Sequence, residues 1–123
     1  MRSTLSAKTR ELISLAVAQS DNCEYCLSAH AYGAEHALHL SAEEIAAARK
    51  GTSANPRAQA VLALALAVNE KRGAAEDDVA AARAAGLTDK EIAEVVANVA
   101  LSVFTNFFNN TNATDVDFPL VTP

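Results

Sequence analysis

The sequence predicts an all-α protein, a compact single-domain bundle of about six helices. Alanine accounts for 28 of the 123 residues, and β-branched residues are sparse outside the last third of the chain. Alanine, leucine, glutamate, lysine and arginine are the strongest helix formers, so this composition favours helices. Start and stop signals recur along the chain and divide it into short helices. We therefore expect one domain over residues 1–123, with no linker and no internal repeat.

We predict the first three helices over the ranges 4–20, 22–39 and 41–50. The first is apolar on almost every side in its second half. Asp21 and Asn22 have side chains that can cap the second helix, so that it begins at Cys23. The stretch 41–44, Ser-Ala-Glu-Glu, fits a capping box, in which a hydroxyl and a carboxylate each accept from the other residue's backbone amide. This pattern starts the third helix.

The last three helices are predicted over the ranges 55–72, 76–85 and 88–109, followed by an irregular tail from about residue 110. Asn55 and Pro56 are typical of an N-cap followed by proline at the first helical position. The stretch 88–91, Thr-Asp-Lys-Glu, fits a second capping box. Glycines 51, 73 and 86 fall where helices should stop. The run 62–68 alternates as a strand would, but both alternating sets are apolar, so propensity and the upstream helix start favour a helix.

The last predicted helix has an apolar row and a polar row. We expect the apolar row to face the core; it consists of Ile92, Val95, Val96, Val99, Val103 and Phe107. The polar row consists of Asn98, Ser102, Asn106 and Asn109. We interpret the polar row as a solvated face. The alternative is that Asn106 and Asn109 meet another subunit or a site.

Composition also excludes several classes of function. Fifteen acidic and ten basic side chains leave a net charge of −5, which argues against sequence-independent binding to nucleic-acid phosphates. No uninterrupted apolar run reaches the ~18–20 residues of a membrane span. The first ten residues lack the apolar segment of a signal peptide. We therefore expect a cytoplasmic protein that binds neither nucleic acid nor a membrane.

The two cysteines, Cys23 and Cys26, form a C-x-x-C motif. Secreted disulfide scaffolds need more cysteines, spread along the chain. In a reducing compartment the motif indicates redox chemistry or a metal site. The sequence has no thioredoxin-like βαβ pattern, so we favour redox chemistry on a helical scaffold.

His30 extends the motif to C-x-x-C-x-x-x-H. At ~100° per residue the three side chains share a sector of about 60° on one helix face. The cysteine Cα atoms would lie ~5 Å apart, within disulfide range. His30 could take the proton of Cys26 directly or through water. The helix dipole favours Cys23 as the reactive thiolate and His30 favours Cys26, so the spacing leaves the attacking sulfur open.

Glu11 is the fourth candidate residue. It shares a helix face with Leu15 and Ala18, where a carboxylate in apolar surroundings could serve as a proton acceptor or relay. From the sequence alone we favour a simpler position, at the rim of the helix and paired with Lys8 or Arg10.

Two other functions remain open. A zinc site would combine Cys23, Cys26 and His30 with a fourth ligand, taken from His36, His39 or Glu11. Alternatively, the thiols are structural parts of a non-catalytic oligomeric interaction protein. For His36 and His39 the simpler explanation is a favourable interaction with the C-terminal end of the second helix.

The chain resembles the alkylhydroperoxidase AhpD-like family of the carboxymuconolactone decarboxylase superfamily. The resemblance is carried by Arg10-Glu11-Leu12-Ile13 and by Cys23-Glu24-Tyr25-Cys26-Leu27-Ser28-Ala29-His30, which together give the specific pattern E-x11-C-x-x-C-x-x-x-H. Looser similarity continues through the stretches 41–45, 55–57, 85–88 and 91–92, and through the tail at Asn106, Asn109 and 114–119. The resemblance thus covers nearly the whole chain.

This resemblance implies an AhpD-like helical fold and a homo-oligomer, either a trimer or a hexamer. It implies reduction of hydroperoxides by the thiol pair, with recycling by an external dithiol such as a lipoyl-protein or a thioredoxin-like donor. By the same analogy Cys26 is the peroxidatic cysteine, Cys23 the resolving cysteine, and Glu11 and His30 the proton relay. The redox-active disulfide Cys23–Cys26 is the reactive group, with no further cofactor and no metal.

The chain departs from the family pattern at Tyr25, where the best-known peroxidases carry a further histidine between the cysteines. It also begins closer to Glu11 than many relatives do. The lactone decarboxylases of the superfamily resemble this fold but lack the cysteine pair, so decarboxylation is not expected.

Overall fold

Residues 3–123, the part of the chain described by the computed structural model, form six α-helices and no strand. The helices are α1 (Ala7–Ser20), α2 (Glu24–His36), α3 (Ala42–Arg49), α4 (Pro56–Glu70), α5 (Glu76–Ala84) and α6 (Asp89–Asn112). All six predicted helices are present in the predicted order. The all-α fold class is therefore confirmed.

The predicted start signals of α3, α4 and α6 are confirmed. Asn55 caps α4 by accepting from two backbone amides, and Pro56 lies in the first turn. Complete capping boxes open α3 and α6, formed by Ser41 with Glu44 and by Thr88 with Glu91. These motifs satisfy amides that lack partners within their own helix, so they fix where each helix begins.

Several helix ends differ from the prediction. α1 begins at Ala7 rather than at residue 4, because Ser6 caps it by accepting from the amide of Thr9. α2 is shorter at both ends than the predicted range 22–39. α6 continues past residue 109 to Asn112, where Ala113 ends it in the left-handed conformation (φ 49°).

The central helix of the fold is α1, which contacts α2, α3, α4 and α6. Ile13 and Val17 belong to an apolar cluster shared with α4, α5 and α6. Leu12 and Leu15 belong to a second cluster shared with α2, α3 and α4. Because neighbours cover α1 on both sides, the second half of this helix is apolar almost all round.

The strand-like run 62–68 lies inside α4, as predicted. Contacts with α1, α5 and α6 bury α4 from several directions, which explains why both alternating sets are apolar. The end of α3 also approaches α4 closely. Gly51 adopts φ 76° there, and a Cβ at this position would collide with Leu66. Glycine is therefore favoured at Gly51 by the backbone conformation, and any larger residue would also have to displace the end of the Leu66 side chain.

The apolar row of α6 is only partly in the core. Ile92, Val95 and Val99 are buried, as predicted. Val96 and Phe107 are 44% and 57% exposed, so their prediction as core residues is wrong. The core cluster includes Ile92, Val95 and Val99, with Val103 packed against it, and does not include Val96 or Phe107.

The polar row of α6 is partly buried instead of solvated. Ser102 and Asn106 are buried, at 6% and 1% exposure. The helices α1, α2 and α4 all contact α6. The interpretation of this row as a solvated face is therefore wrong for these two residues.

By length and composition alone, α6 is long and apolar enough to cross a membrane. The stretch Asp89–Thr111 contains an 18-residue window with a mean hydropathy of 1.3. The chain still has no uninterrupted apolar run of this length, because a window average tolerates the polar residues that interrupt each apolar run. Core helices meet the same criterion, so the length and hydropathy of α6 do not identify a membrane span.

The tail after α6 is irregular, as predicted, and packs against α2. The buried Ser28 hydroxyl accepts from the amide of Val121 at 2.9 Å and lies 3.3 Å from its carbonyl oxygen, to which it donates. The ring of Phe118 contacts those of Tyr25 and Tyr32, with centroids 5.9 and 5.6 Å apart. The tail is thus anchored on the helix that carries the cysteine motif.

Candidate active site

The turn between α1 and α2 places the two cysteines. Asp21 ends α1, and Asn22 follows in the left-handed conformation (φ 53°), which reverses the chain. Cys23 is then extended and caps α2, because its Sγ accepts from the amide of Cys26 at 3.2 Å. The prediction that Asp21 and Asn22 cap α2 is therefore wrong, since both are used by the turn that ends α1.

Cys23 and Cys26 are joined as a disulfide at the start of α2. Their Cα atoms are 5.2 Å apart, which confirms the distance predicted from the three-residue spacing. Both residues are buried. The positive end of the α2 dipole and the free amides of its first turn stabilise negative charge on a reduced sulfur. Such a pair can exchange two electrons with an external thiol or a peroxide.

Glu11 of α1 and His30 of α2 form a hydrogen-bonded pair. Glu11 Oε1 lies 2.8 Å from His30 Nδ1, and the two side chains are 20% and 33% exposed. Gly33, one turn after His30, lies beside this carboxylate, and a Cβ there would make an ordinary van der Waals contact with Glu11 Oε1 at 3.7 Å. A carboxylate on Nδ1 orients the imidazole and leaves Nε2 as the nitrogen that can exchange a proton elsewhere.

The predicted pairing of Glu11 with Lys8 or Arg10 is wrong. The two cations have other partners: Lys8 pairs with Glu44 at 2.6 Å, and the Arg10 guanidinium donates to the carbonyl of Leu5 at 2.8 Å. Glu11 faces α2 rather than solvent because α1 and α2 pack against each other along this side. The sequence pattern alone does not contain that packing.

Asn109 brings α6 into the site. Its Nδ2 donates to Cys26 Sγ, 3.4 Å away, and to the carbonyl of Thr105 at 2.9 Å. Cys26 Sγ also lies 3.8 Å from the same carbonyl oxygen. Asn109 therefore contacts the sulfur of Cys26, in agreement with the alternative interpretation of the polar row.

Asn106 holds the turn that precedes the cysteines. Its Nδ2 donates to the Asp21 carboxylate at 2.9 Å, and Asn69 donates to the other oxygen of that carboxylate at the same distance. Asn106 Oδ1 is buried without a hydrogen-bond partner among residues 3–123. The available sequence signal for Asn106 and Asn109 was their spacing on one helix face with Ser102.

The remaining histidines lie at the far end of α2. His36 ends the helix, contacts the ring of Tyr32 at a tilt, with centroids 4.2 Å apart, and lies 3.7 Å from Glu35. His39 lies beyond the helix at φ 55°, so of these two histidines only His36 stands in the last turn of α2. Within the described range, no group of three or more histidine, cysteine, aspartate or glutamate residues is placed to hold a metal ion.

A cavity of about 750 Å³ lies away from the cysteines. It is bounded by the start of α1, by α3, and by the loop that leads into α4. Lys8 and Arg57 stand on its walls, each already paired with a carboxylate. None of Cys23, Cys26 or His30 lines it, so this cavity and the cysteine pair are separate features.

The comparison with known families agrees with the geometry of this site. The model of the carboxymuconolactone decarboxylase family matches residues 1–70. This range contains Glu11, both cysteines and His30. No curated protein matches the chain at a significant level. Because the family match spans more than half of its 123 residues, the chain belongs to the carboxymuconolactone decarboxylase family, which covers the AhpD-like proteins.

Proposed function

We propose that this protein is a thiol-dependent peroxidase and disulfide reductase of the AhpD-like type. The observation that carries the proposal is the disulfide pair Cys23–Cys26 at a helix start, next to the hydrogen-bonded pair of Glu11 and His30. Hydroperoxide reduction needs a thiolate, a second thiol and a proton relay, and this arrangement offers residues for all three. Membership of the family supports the same chemistry.

The first step makes and uses a thiolate. Glu11 orients His30, and His30 takes the proton of Cys26, directly or through water. The sulfur then attacks the terminal oxygen of the hydroperoxide: an S–O bond forms, the O–O bond breaks, and the alkoxide takes a proton from His30 to leave as an alcohol. Cys26 is thereby oxidised to a sulfenic acid.

The second step regenerates the disulfide. The Cys23 thiolate attacks the Cys26 sulfur, an S–S bond forms, and hydroxide leaves with a proton as water. An external dithiol then reduces the disulfide by two exchange steps and is itself oxidised to a disulfide. A lipoyl-protein or a thioredoxin-like protein is the proposed donor. The protein's own disulfide is the proposed redox group, without a further cofactor or metal.

Peroxide titration with intact-mass measurement tests the proposal. Reduced protein treated with a hydroperoxide should lose two thiols and about two protons' mass.

Cys26→Ser should abolish turnover, Cys23→Ser should accumulate sulfenic acid, and Glu11→Gln should slow thiolate formation. His30→Gln should lower turnover by about 10²–10⁴-fold, the usual effect of losing a general base, whereas the matched control His36→Gln on the same helix should not. Unchanged turnover in Cys26→Ser, or a metal in the native mass, would reject the proposal.

We further propose a cytoplasmic homo-oligomer, a trimer or a hexamer, that binds neither membrane nor nucleic acid. The support is an exposed apolar face on α6, formed by Leu101, Phe104, Phe107 and Phe108, each more than half exposed. Phe104 and Phe108 stack on each other with centroids 6.3 Å apart. An apolar face of this kind on a soluble chain favours contact with another protein surface. We assign that surface to a second copy of the chain.

A further inference from the structure

The side-chain amide of Asn109 uses both of its N–H groups at the cysteine site. One donates to the carbonyl of Thr105, one turn earlier on α6, at 2.9 Å. The other donates to Cys26 Sγ at 3.4 Å. An amide carries two donor protons on one nitrogen. The bond to Thr105 therefore holds the amide in place, and the second N–H is directed at the sulfur.

Two other asparagines of α6 show which part of this arrangement is special. Asn98 and Asn112 also donate to the carbonyl four residues earlier, at 2.7 and 2.8 Å. Within residues 3–123 their side chains make no second hydrogen bond, whereas Asn109 has the additional bond to a sulfur. The bond from the side-chain amide to the carbonyl four residues earlier thus recurs along α6. The bond to Cys26 is made only by Asn109, because of its position on the helix.

The surroundings of Cys26 make a hydrogen-bond donor important for stabilising a thiolate at this sulfur. Cys26 is 3% exposed, so water does little to stabilise a thiolate there. The nearby Thr105 carbonyl oxygen carries partial negative charge and does not stabilise one either. Cys23 has its own donor, the amide of Cys26 at 3.2 Å. Each sulfur therefore accepts one hydrogen bond from an N–H group. The donor to Cys23 is the backbone amide of Cys26, and the donor to Cys26 is the side chain of Asn109 on α6.

We propose that Asn109 holds the Cys26 thiolate by donating its Nδ2–H to Sγ. The inference deepens the proposed function and rests on it, because it assigns a role to Asn109 in that thiol chemistry. A hydrogen bond to an ionised group is about twice as strong as one between neutral groups. The bond thus strengthens when the disulfide is reduced and the sulfur gains charge.

The same contact acts when the external dithiol reduces the disulfide. The donor thiolate attacks Cys23 Sγ and forms a mixed disulfide with it. The Cys23–Cys26 bond breaks, and its electron pair stays on Cys26 Sγ as negative charge. Asn109 stabilises this leaving group. One residue of α6 therefore supports both the attacking and the leaving form of Cys26.

A thiolate titration tests this role without any peroxide. In the Cys23→Ser background Cys26 is the single thiol, and its thiolate is followed by absorbance near 240 nm as the pH is raised. Asn109→Leu should move the titration midpoint up by about one pH unit, the size expected for a lost charge-assisted hydrogen bond. Asn109→Asp should move it at least as far, because a carboxylate repels the thiolate. Glu11 and His30 are unchanged in every variant.

The matched control is Asn112→Leu, which removes the same kind of backbone bond but touches no sulfur. It should leave the midpoint unchanged. If Asn109→Leu does not fold, Asn109→Ala removes the same donor with a smaller side chain and must show the same shift. A midpoint that stays constant in the folded Asn109 variants overturns the inference, as does an equal shift in the control.

The titration also separates this inference from the peroxidase proposal. A shifted midpoint in a protein that reduces no peroxide would support the role of Asn109 at the thiolate and reject the peroxidase proposal. Peroxide turnover with an unshifted midpoint would reject the role of Asn109 alone.

Discussion

The two sides of α6 invert the usual distribution of polar and apolar residues. On one side Asn106 is 1% exposed and Asn109 is half-buried against Cys26. On the other side Phe104 and Phe108 are 67% and 59% exposed. Phenylalanine is usually among the buried residue types and asparagine among the exposed ones.

The difference follows from what each side contacts. A buried amide costs free energy unless it is hydrogen-bonded, and the turn at Asp21 and the sulfur of Cys26 supply bonds for the two asparagines. The phenylalanines have no helix of the same chain packed over them within the described residues. Contacts within the chain thus explain the polar side, and the exposed apolar side fits the proposed contact with a second copy of the chain.

The largest effect is expected when charge is introduced on the apolar side of α6, which tests whether that side contacts a second copy of the chain. Phe104→Glu with Phe108→Glu should weaken self-association by on the order of 10²–10⁴-fold, from the lost burial of two aromatic side chains. Sedimentation or light scattering would then give the monomer mass. Leu120→Glu, an equally exposed apolar residue of the tail, is the control and should keep the assembly. A parent protein that is already monomeric would contradict the proposed interface.

A smaller effect is expected on the polar side, and it concerns stability. Asn106→Ala should lower the free energy of unfolding by about 1–3 kcal/mol, because it removes a buried donor from the Asp21 carboxylate. Urea unfolding measures this loss. Asn110→Ala is the matched control: the exposed side chain of Asn110 also donates to Asp21, but to its backbone carbonyl oxygen. We expect a change within about 0.5 kcal/mol there. Equal losses would mean that burial of Asn106 is not what matters.

The smallest effect concerns a solvated contact near the start of α6. Hydrogen bonds from Thr4 lower the pKa of the Glu94 carboxyl below its ordinary 4.5. Glu94 also accepts from the amide of Leu5 at 3.2 Å. Since the pKa is lower in the folded state, the stabilisation is present above pH 4.5 and is lost as the pH falls through the lowered value.

Amide hydrogen exchange detects this change. Protection of the Leu5 amide, corrected for intrinsic exchange, should fall on acidification below about pH 4.5. Glu94→Gln should remove that pH dependence. An unchanged protection profile in the variant would show that another group holds the segment. Because this contact is exposed, its effect should remain local to the segment, unlike that of Asn106.

Features that depend on nearby residues were predictable from the sequence. The caps at Asn55, Ser41 and Thr88 need only the residues of one helical turn, and the distance between the cysteine Cα atoms follows from their spacing. Even here one local feature was wrong. Cys23 caps α2 itself, because Asp21 and Asn22 are used by the preceding turn.

Features that depend on how helices pack were not predictable in the same way. Glu11 has cations near it in the sequence, yet it pairs with His30 because α1 lies along α2. The two rows of α6 were both visible in the sequence. Val96 and Phe107 were wrongly predicted to be buried, and Ser102 and Asn106 to be solvated. Periodicity identifies the residues that share a helix face, but it does not show which helix or subunit packs against that face.

The hydrogen bonds between Ser28 and Val121 have a consequence for synthesis of the protein. Their partners are 93 residues apart in the chain. At 5–20 residues per second, roughly 5–19 s of translation separate them. During that interval α2 has been made but lacks its contact with the tail. The buried hydroxyl of Ser28 therefore lacks its partner until almost the whole of this sequence has been made.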